Sequence, residues 1–280
     1  MPEGPEVETI RRSLLPLLRQ RRFVGAQVSR KKLREPVTAR ELSAVVGRVV
    51  TGLDRRGKLL IIDVEGGAGL FVRLGMTGKL VVAPERDAPP PHTHVRLTLD
   101  DGSEELRYTD PRRFGSVVPF ADRAGRDAAL AEIGPDGLLL DDDATRAQVS
   151  AALGRTARSL KDALLDQKLV AGVGNIYAAE ALYVARLSPF RRGVDLRPAE
   201  RERLLRAVGE VLHQAVGRRG TSFSDYVDGL GVPGDNLGHL HVFQREGEPC
   251  RTCGRRVERA VQGQRSTFFC PKCQRVSKLG

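Results

Sequence analysis

All four cysteines of the chain fall near its end, as Cys250-x2-Cys253, sixteen intervening residues, then Cys270-x2-Cys273. Two such pairs, each on a tight turn, match the ligand arithmetic of a zinc site. A disulfide framework would spread its cysteines through the chain, and in a reducing compartment thiols stay unpaired. Free or disulfide-bonded cysteines are therefore the lesser reading. Four thiolates complete a tetrahedron with no open coordination position, so one Zn2+ with a structural role is expected. A short segment tied at four points to one ion has room for little but a ribbon or hairpin.

From Arg245 onward nine Lys or Arg stand against three Glu, a net +6 out of the chain's +11. That balance makes a polyanion the expected partner, and a basic ribbon of this kind lies against phosphates. Basic ribosomal and membrane-surface proteins share the balance, so charge alone does not choose among them. The 280 residues allow two domains with separate cores, and 40% hydrophobic with 29% charged residues describe a soluble globular chain. No apolar run approaches the roughly 18–20 residues that span a bilayer. The amino terminus carries carboxylates where a secretion signal needs a basic stretch followed by an apolar one. The expected location is the cytoplasm.

The opening residues, MPEGPEVETIRR, admit two readings that fit together. Met-Pro is a start from which the initiator methionine is normally removed, leaving Pro2 with a free secondary amine. An α-amino group has a pKa of about 7.7–8.0, so a useful fraction is unprotonated near neutrality, and amines form Schiff bases with carbonyl carbons. Glu3 is an acid within reach of whatever Pro2 attacks. The plainer reading is a helix start, with proline and carboxylates in the first turn and an apolar stripe of Val7, Ile10, Leu14 and Leu18. A helix start would hold a terminal amine rigidly.

From Phe23 to about Phe120, short apolar runs bounded by Gly or Pro, and a turn at Asp101-Gly102, predict a β-sandwich or barrel packed on the first helix. Lys58, directly before an apolar strand, reads by itself as a solvated lysine. Residues 135–150 are acidic and contain Gly and Pro, as a linker would. Helical spacing follows. There is a capped start at Ser159 and Asp162, a break at Gly172 and Gly174, and a second helix from Ile176 to Leu187 with Asn175 as its N-cap. A third helix runs from Pro198 to Val216, and a glycine-rich mobile loop from Gly220 to Gly238. A Gly-Asn turn at a helix start can bind phosphate, though most such turns only cap helices. The pairs His92-x-His94 and His239-x-His241 alternate like strand residues and point to packing or hydrogen bonding rather than metal ligation.

The segments PEGPEVETIRR, LGMTGKL, RYTDPRRFG, LLDQKLVAGVGNIYAAEAL, FQREGEPCRTCG and QRSTFFCPKC run in order from one end of the chain to the other. Together they resemble the formamidopyrimidine-DNA glycosylase family, bacterial 8-oxoguanine glycosylases and AP lyases of the endonuclease VIII superfamily. The resemblance implies an α+β fold of two domains: a β-sandwich with a catalytic N-terminal helix over 1–134, then a linker over 135–150. A helix–two-turn–helix domain with a lesion-capping loop (Gly220 to Asn236) would occupy 151–240, and a four-cysteine zinc finger 241–280. Pro2 would attack C1′ of the damaged nucleotide, Glu3 would handle protons at the sugar, and Lys58 would be a cationic contact needed for catalysis. β,δ-Elimination would then excise the sugar. Met76, Arg112 and Phe114 match the side chains that fill the gap left by an extruded nucleotide. Arg113, Asn175 and Arg265 match phosphate contacts at the lesion, Arg265 within the catalytic set, and His94 and Lys161 join the DNA-binding residues. The implied partner is double-stranded DNA with oxidised bases or abasic sites, met by a monomer in the nucleoid-containing cytoplasm.

One position departs from the purine-repair branch, which usually has Leu where this chain has Gly4; MPEGPE is the start typical of the endonuclease VIII branch, which favours oxidised pyrimidines. The wedge residues of LGMTG and DPRRFG favour the purine branch. A non-enzymatic damaged-DNA-binding protein is the third reading, and it leaves the Pro2–Glu3 start without a purpose.

Overall fold

The computed structural model describes residues 2–100, 102–223 and 226–275. Met1, whose removal was expected, and Asp101 of the expected turn lie outside the described residues. The chain divides into two compact units, Met1–Glu132 with Arg218–Leu237, and Ile133–Gly217 with Gly238–Gly280.

The first unit opens with α1 (Gly4–Leu18). Two antiparallel four-stranded sheets follow. One has the order β1-β6-β7-β5, built from β1 (Phe23–Val28), β5 (Lys79–Pro84), β6 (Thr93–Leu99) and β7 (Glu104–Thr109). The other has the order β2-β3-β4-β8, from β2 (Val50–Arg56), β3 (Leu59–Val64), β4 (Gly69–Arg73) and β8 (Ser116–Phe120). Short helices α2 (Ala39–Leu42) and α3 (Arg123–Ala131) complete it. Of the two expected architectures, the sandwich is the one formed. The predicted stripe of Val7, Ile10, Leu14 and Leu18 is buried in the same core as Leu60, Ile62 and Val72 from one sheet and Leu80, Val95 and Leu106 from the other. Burying each such side chain contributes roughly 1.5–3 kcal/mol, which anchors α1 and the residues ahead of it.

The second unit is helical: α4 (Asp143–Leu153), α5 (Leu160–Leu165), α6 (Asn175–Val184) and α7 (Pro198–Gly217), followed by the hairpin of β9 (Glu258–Gln262) and β10 (Arg265–Phe269). Residues 135–150, expected as a linker, instead contain most of α4, whose Val149 and Leu153 are core residues. The aspartates that suggested a linker are a capping signal: Asp142 accepts from Thr145 N–H at 2.7 Å. Ser159 caps α5 as predicted, accepting from Asp162 N–H at 3.2 Å. At α6 the cap is Gly174, and Asn175 is the first helical residue. Its side chain is thereby released for another bond. Val257, Phe268, Cys250 and Cys270 belong to one core with Leu164, Leu182 and Leu204, so hairpin and helices pack as one body. No described helix is long and apolar enough to cross a membrane.

Candidate active site and nucleic-acid interface

Pro2 and Glu3 are buried at the head of α1. A helix start leaves backbone N–H groups without intrahelical partners. Here Glu6, 1% exposed, meets that need: its Oε2 accepts the Glu3 N–H at 2.8 Å. Its other oxygen, Oε1, accepts the Thr221 N–H at 2.8 Å. The Tyr226 hydroxyl donates to the Glu6 carbonyl at 3.3 Å, and Gly229 N–H donates to Ser13 Oγ at 2.9 Å. The segment from Gly220 to Gly238, expected as a mobile loop, is thus bonded to α1 at Thr221, Tyr226 and Gly229; Ser224 and Asp225 lie outside the described residues. Burial and the nearby Glu6 carboxylate push the Tyr226 phenol up, so it stays a donor.

Lys58 follows Gly57 in the two-residue turn between β2 and β3 and is half-buried. Gly57 has φ +59°, which a side chain would strain. The Arg55 guanidinium donates to the Gly57 carbonyl at 2.8 Å and pairs with Glu8 of α1 at 3.2 Å. Glu8 also meets Arg11 at 2.8 Å and Arg12 at 2.7 Å. Burial raises the Glu8 pKa, but the hydrogen bonds from these arginines outweigh it and bring the group to about 2. α1 and the Lys58 turn are therefore joined by one ionised carboxylate.

Met76 and Phe114 are apolar yet 40% and 47% exposed, and the Arg112 guanidinium lies 4.7 Å above the Phe114 ring. They stand on two loops that share Asp110, which is fully buried. Asp110 Oδ1 accepts from the Thr77 hydroxyl at 2.5 Å and Arg112 N–H at 3.2 Å, and Oδ2 from Gly115 N–H at 2.9 Å and the Tyr108 hydroxyl at 3.3 Å. The loops crowd that centre, since a Cβ at Gly115 would lie 1.9 Å from the Tyr108 oxygen. Arg113, between Arg112 and Phe114, is exposed with φ +57°, a left-handed conformation that costs a non-glycine residue roughly 1–2 kcal/mol. His94 is 2% exposed and has both ring nitrogens engaged, with Ser29 Oγ at 2.9 Å and the Asp110 carbonyl at 3.0 Å. It braces the loop from inside and offers no surface donor.

In the second unit Arg265 is exposed at the start of β10. The next residue is gripped twice: Lys161 Nζ donates to the Ser266 carbonyl at 2.8 Å and Asn175 Nδ2 to the same oxygen at 3.0 Å. Lys161 also reaches Thr267 Oγ1 at 2.6 Å and is fully buried. Burial lowers its ammonium to about 8, with Asp162 acting against the shift and Arg265 with it. Lys161, like His94, works within the fold. Glu180, which carried no signal in the sequence, accepts the N–H groups of His241, Val242 and Phe243 at 2.7–2.9 Å. Glu6, Glu8 and Asp110 were missed likewise. The Glu3-x-x-Glu6 spacing at a helix start was the one local clue.

The sulfurs of Cys250, Cys253, Cys270 and Cys273 all lie within 4.8 Å of one another, with Cys250 to Cys273 at 3.9 Å and Cys253 to Cys270 at 3.5 Å. A tetrahedron with zinc–sulfur bonds of about 2.3 Å has edges of about 3.8 Å, so the set fits one structural Zn2+. The donor set and its closed geometry leave zinc a role in holding the hairpin, not in chemistry.

Residues 1–117 match the formamidopyrimidine-DNA glycosylase N-terminal domain, 133–227 the H2TH domain of the same enzyme, and 247–276 a zinc finger found in FPG and IleRS. These modules together define the class of zinc-finger DNA glycosylases. Formamidopyrimidine-DNA glycosylases of Pectobacterium atrosepticum and Herpetosiphon aurantiacus are 40% and 41% identical to this chain over 98% of it and 100% of their own lengths. The crystal structure of the MutM (FPG) protein of Thermus thermophilus is similar with a TM-score of 0.84 at 41% identity, covering 98% of each chain. Lactococcus lactis FPG in complex with abasic-site DNA is similar with a TM-score of 0.87 at 29% identity, over 98% of this chain and 100% of that one. The chain belongs to the formamidopyrimidine-DNA glycosylase family.

Proposed function

We propose that this chain excises oxidised purines, 8-oxoguanine and formamidopyrimidines, from duplex DNA in base-excision repair and then cleaves the strand at the abasic site, with Pro2 as nucleophile. The observation that carries this reading is the amino terminus. Pro2 and Glu3 are buried at the head of α1, and Glu6 accepts both the Glu3 N–H and the Thr221 N–H of the 220–236 segment. The Pro2 nitrogen attacks C1′, the N-glycosidic bond breaks, and the base departs with its electron pair. Glu3 handles the protons at the sugar, so its opened form becomes an iminium on Pro2. The iminium charge acidifies the C2′ proton, which permits β-elimination of one phosphate and then δ-elimination of the other. Lys58 supplies cationic stabilisation beside these steps.

Met76, Arg112 and Phe114 fill the gap that extrusion leaves in the duplex, and the 220–236 loop covers the flipped base. Arg113, Asn175 and Arg265 take the phosphates, while His94 and Lys161 contribute by bracing the loops they bind. The protein acts as a monomer in the cytoplasm, on nucleoid DNA. Gly4 at the first position of α1 favours a second reading, oxidised pyrimidines as the main substrate. A Lactococcus lactis FPG has itself been crystallised with an oxidised-pyrimidine DNA. Single-turnover cleavage of matched duplexes separates the two. Faster release of 8-oxoguanine than of thymine glycol is expected, the reverse order supports the pyrimidine reading, and cleavage of neither contradicts both.

A further inference from the structure

We propose that the Tyr183 hydroxyl is an outer hydrogen-bond donor to the Cys250 thiolate, and that this bond sets how firmly the finger keeps its zinc against chelators and hydroperoxides. Tyr183 lies on α6, 6% exposed, with its oxygen 3.2 Å from Cys250 Sγ and 2.7 Å from Thr252 Oγ1. A ligating thiolate has lone pairs and no proton, so the tyrosine must donate to sulfur and the Thr252 hydroxyl must donate to the tyrosine oxygen. Among the described residues no other side-chain hydroxyl bonds a cysteine sulfur; Cys270 Sγ receives a backbone N–H from Cys273 at 3.4 Å.

The donor is held in place before any ligand arrives. Its ring stacks on His241 with centroids 5.1 Å apart, and His241 Nδ1 lies 3.0 Å from the Glu180 carboxylate. Glu180 and Tyr183 both project from α6, so the hydroxyl cannot leave the sulfur without disturbing a packed helix.

Sulfur density shared with a proton is less available to an electrophile. Oxidation begins when the thiolate attacks a peroxide oxygen: an S–O bond forms, the O–O bond breaks, and hydroxide leaves. The sulfur loses two electrons to the hydroperoxide and becomes a sulfenic acid, a poor zinc ligand. A protein that works where oxidants damage DNA gains from a finger that resists this step.

The test uses the full-length zinc-loaded protein and Tyr183→Phe, which keeps the ring and removes the hydroxyl. Transfer of zinc to the chromogenic chelator 4-(2-pyridylazo)resorcinol, with and without hydrogen peroxide, should be about tenfold faster in the variant, the low end of the effect of such outer-shell groups. In cobalt(II)-substituted protein the thiolate-to-metal charge-transfer band should move to lower energy, a shift that loss of packing alone would not give. An unmoved band, or equal release rates, overturns the proposal. If Tyr183→Phe does not fold, Thr252→Val carries the same test, with a smaller shift in the same direction expected and none overturning it.

Discussion

The sandwich unit and the helical unit hold their functional residues by different means. In the first, buried carboxylates do the positioning. Glu6 takes the Glu3 N–H at the head of α1, Glu8 ties α1 to the Lys58 turn, and Asp110 holds the loops that carry Met76 and Phe114. In the second, a four-sulfur site and a buried lysine fix the hairpin that presents Arg265, with Glu180 securing the segment before it. A charged hub inside a sheet unit can place backbone atoms to fractions of an ångström, which covalent chemistry needs. A metal-tied hairpin serves a grip on phosphates, where charge matters more than fine placement. The difference predicts that damage to the two units will separate, with chemistry lost from one and binding from the other.

The largest separation should come from the metal. Cys253→Ser, or zinc removal by chelation, should weaken DNA binding by at least about a hundredfold while the sandwich unit stays folded, because metal binding supplies much of a small finger's folding energy. Filter binding with circular dichroism checks this; unfolding of the sandwich as well would erase the distinction between the units.

Asp110→Asn should come next. Replacing a fully buried acceptor of four bonds with a group that is half donor costs on the order of 2–3 kcal/mol. Excision of paired 8-oxoguanine should suffer far more than cleavage of a preformed abasic site. Phe114→Ala should show the same asymmetry at roughly tenfold, since extrusion costs a few kcal/mol and the wedge offsets only part of it. Equal losses on the two substrates would make Phe114 a support of the catalytic geometry instead.

A smaller effect belongs to the grip. Log affinity should fall with log salt, and Arg265→Ala should flatten the slope by about one unit. A slope unchanged by that substitution would remove Arg265 from the phosphates.

The smallest effect concerns acid. Glu8 has a folded pKa of about 2 against an ordinary 4.5, so its bonds stabilise the fold fully above pH 4.5 and are lost as pH falls toward 2. Glu8→Gln should be less stable at neutral pH and flatter across that acid range, as read by urea denaturation at several pH values.

Local patterns in the sequence announced much of this. The cysteine pairs, the α1 stripe and the Ser159 cap each rest on residues a few positions apart. What stayed hidden depends on partners far along the chain. His94 bonds a carbonyl 16 residues away and Lys161 one 105 residues away. The family resemblance offers both as DNA-binding residues, and the fold spends them inside. Glu6 meets Thr221 across 215 residues, so neither its burial nor its bond to that segment could be read from MPEGPE. The acidic stretch at 135–150 misled for a related reason: aspartate serves a linker and a helix cap equally well until the apolar face behind it is known to be packed.

The central claim is that Pro2 is the nucleophile. Incubation with an abasic or 8-oxoguanine duplex in the presence of borohydride should reduce the iminium to a stable protein–DNA adduct. Mass analysis of the digested adduct should then place the sugar on residue 2 of protein lacking Met1. An adduct on Lys58, or an active protein that retains Met1 and so an acylated Pro2 nitrogen, would contradict the account.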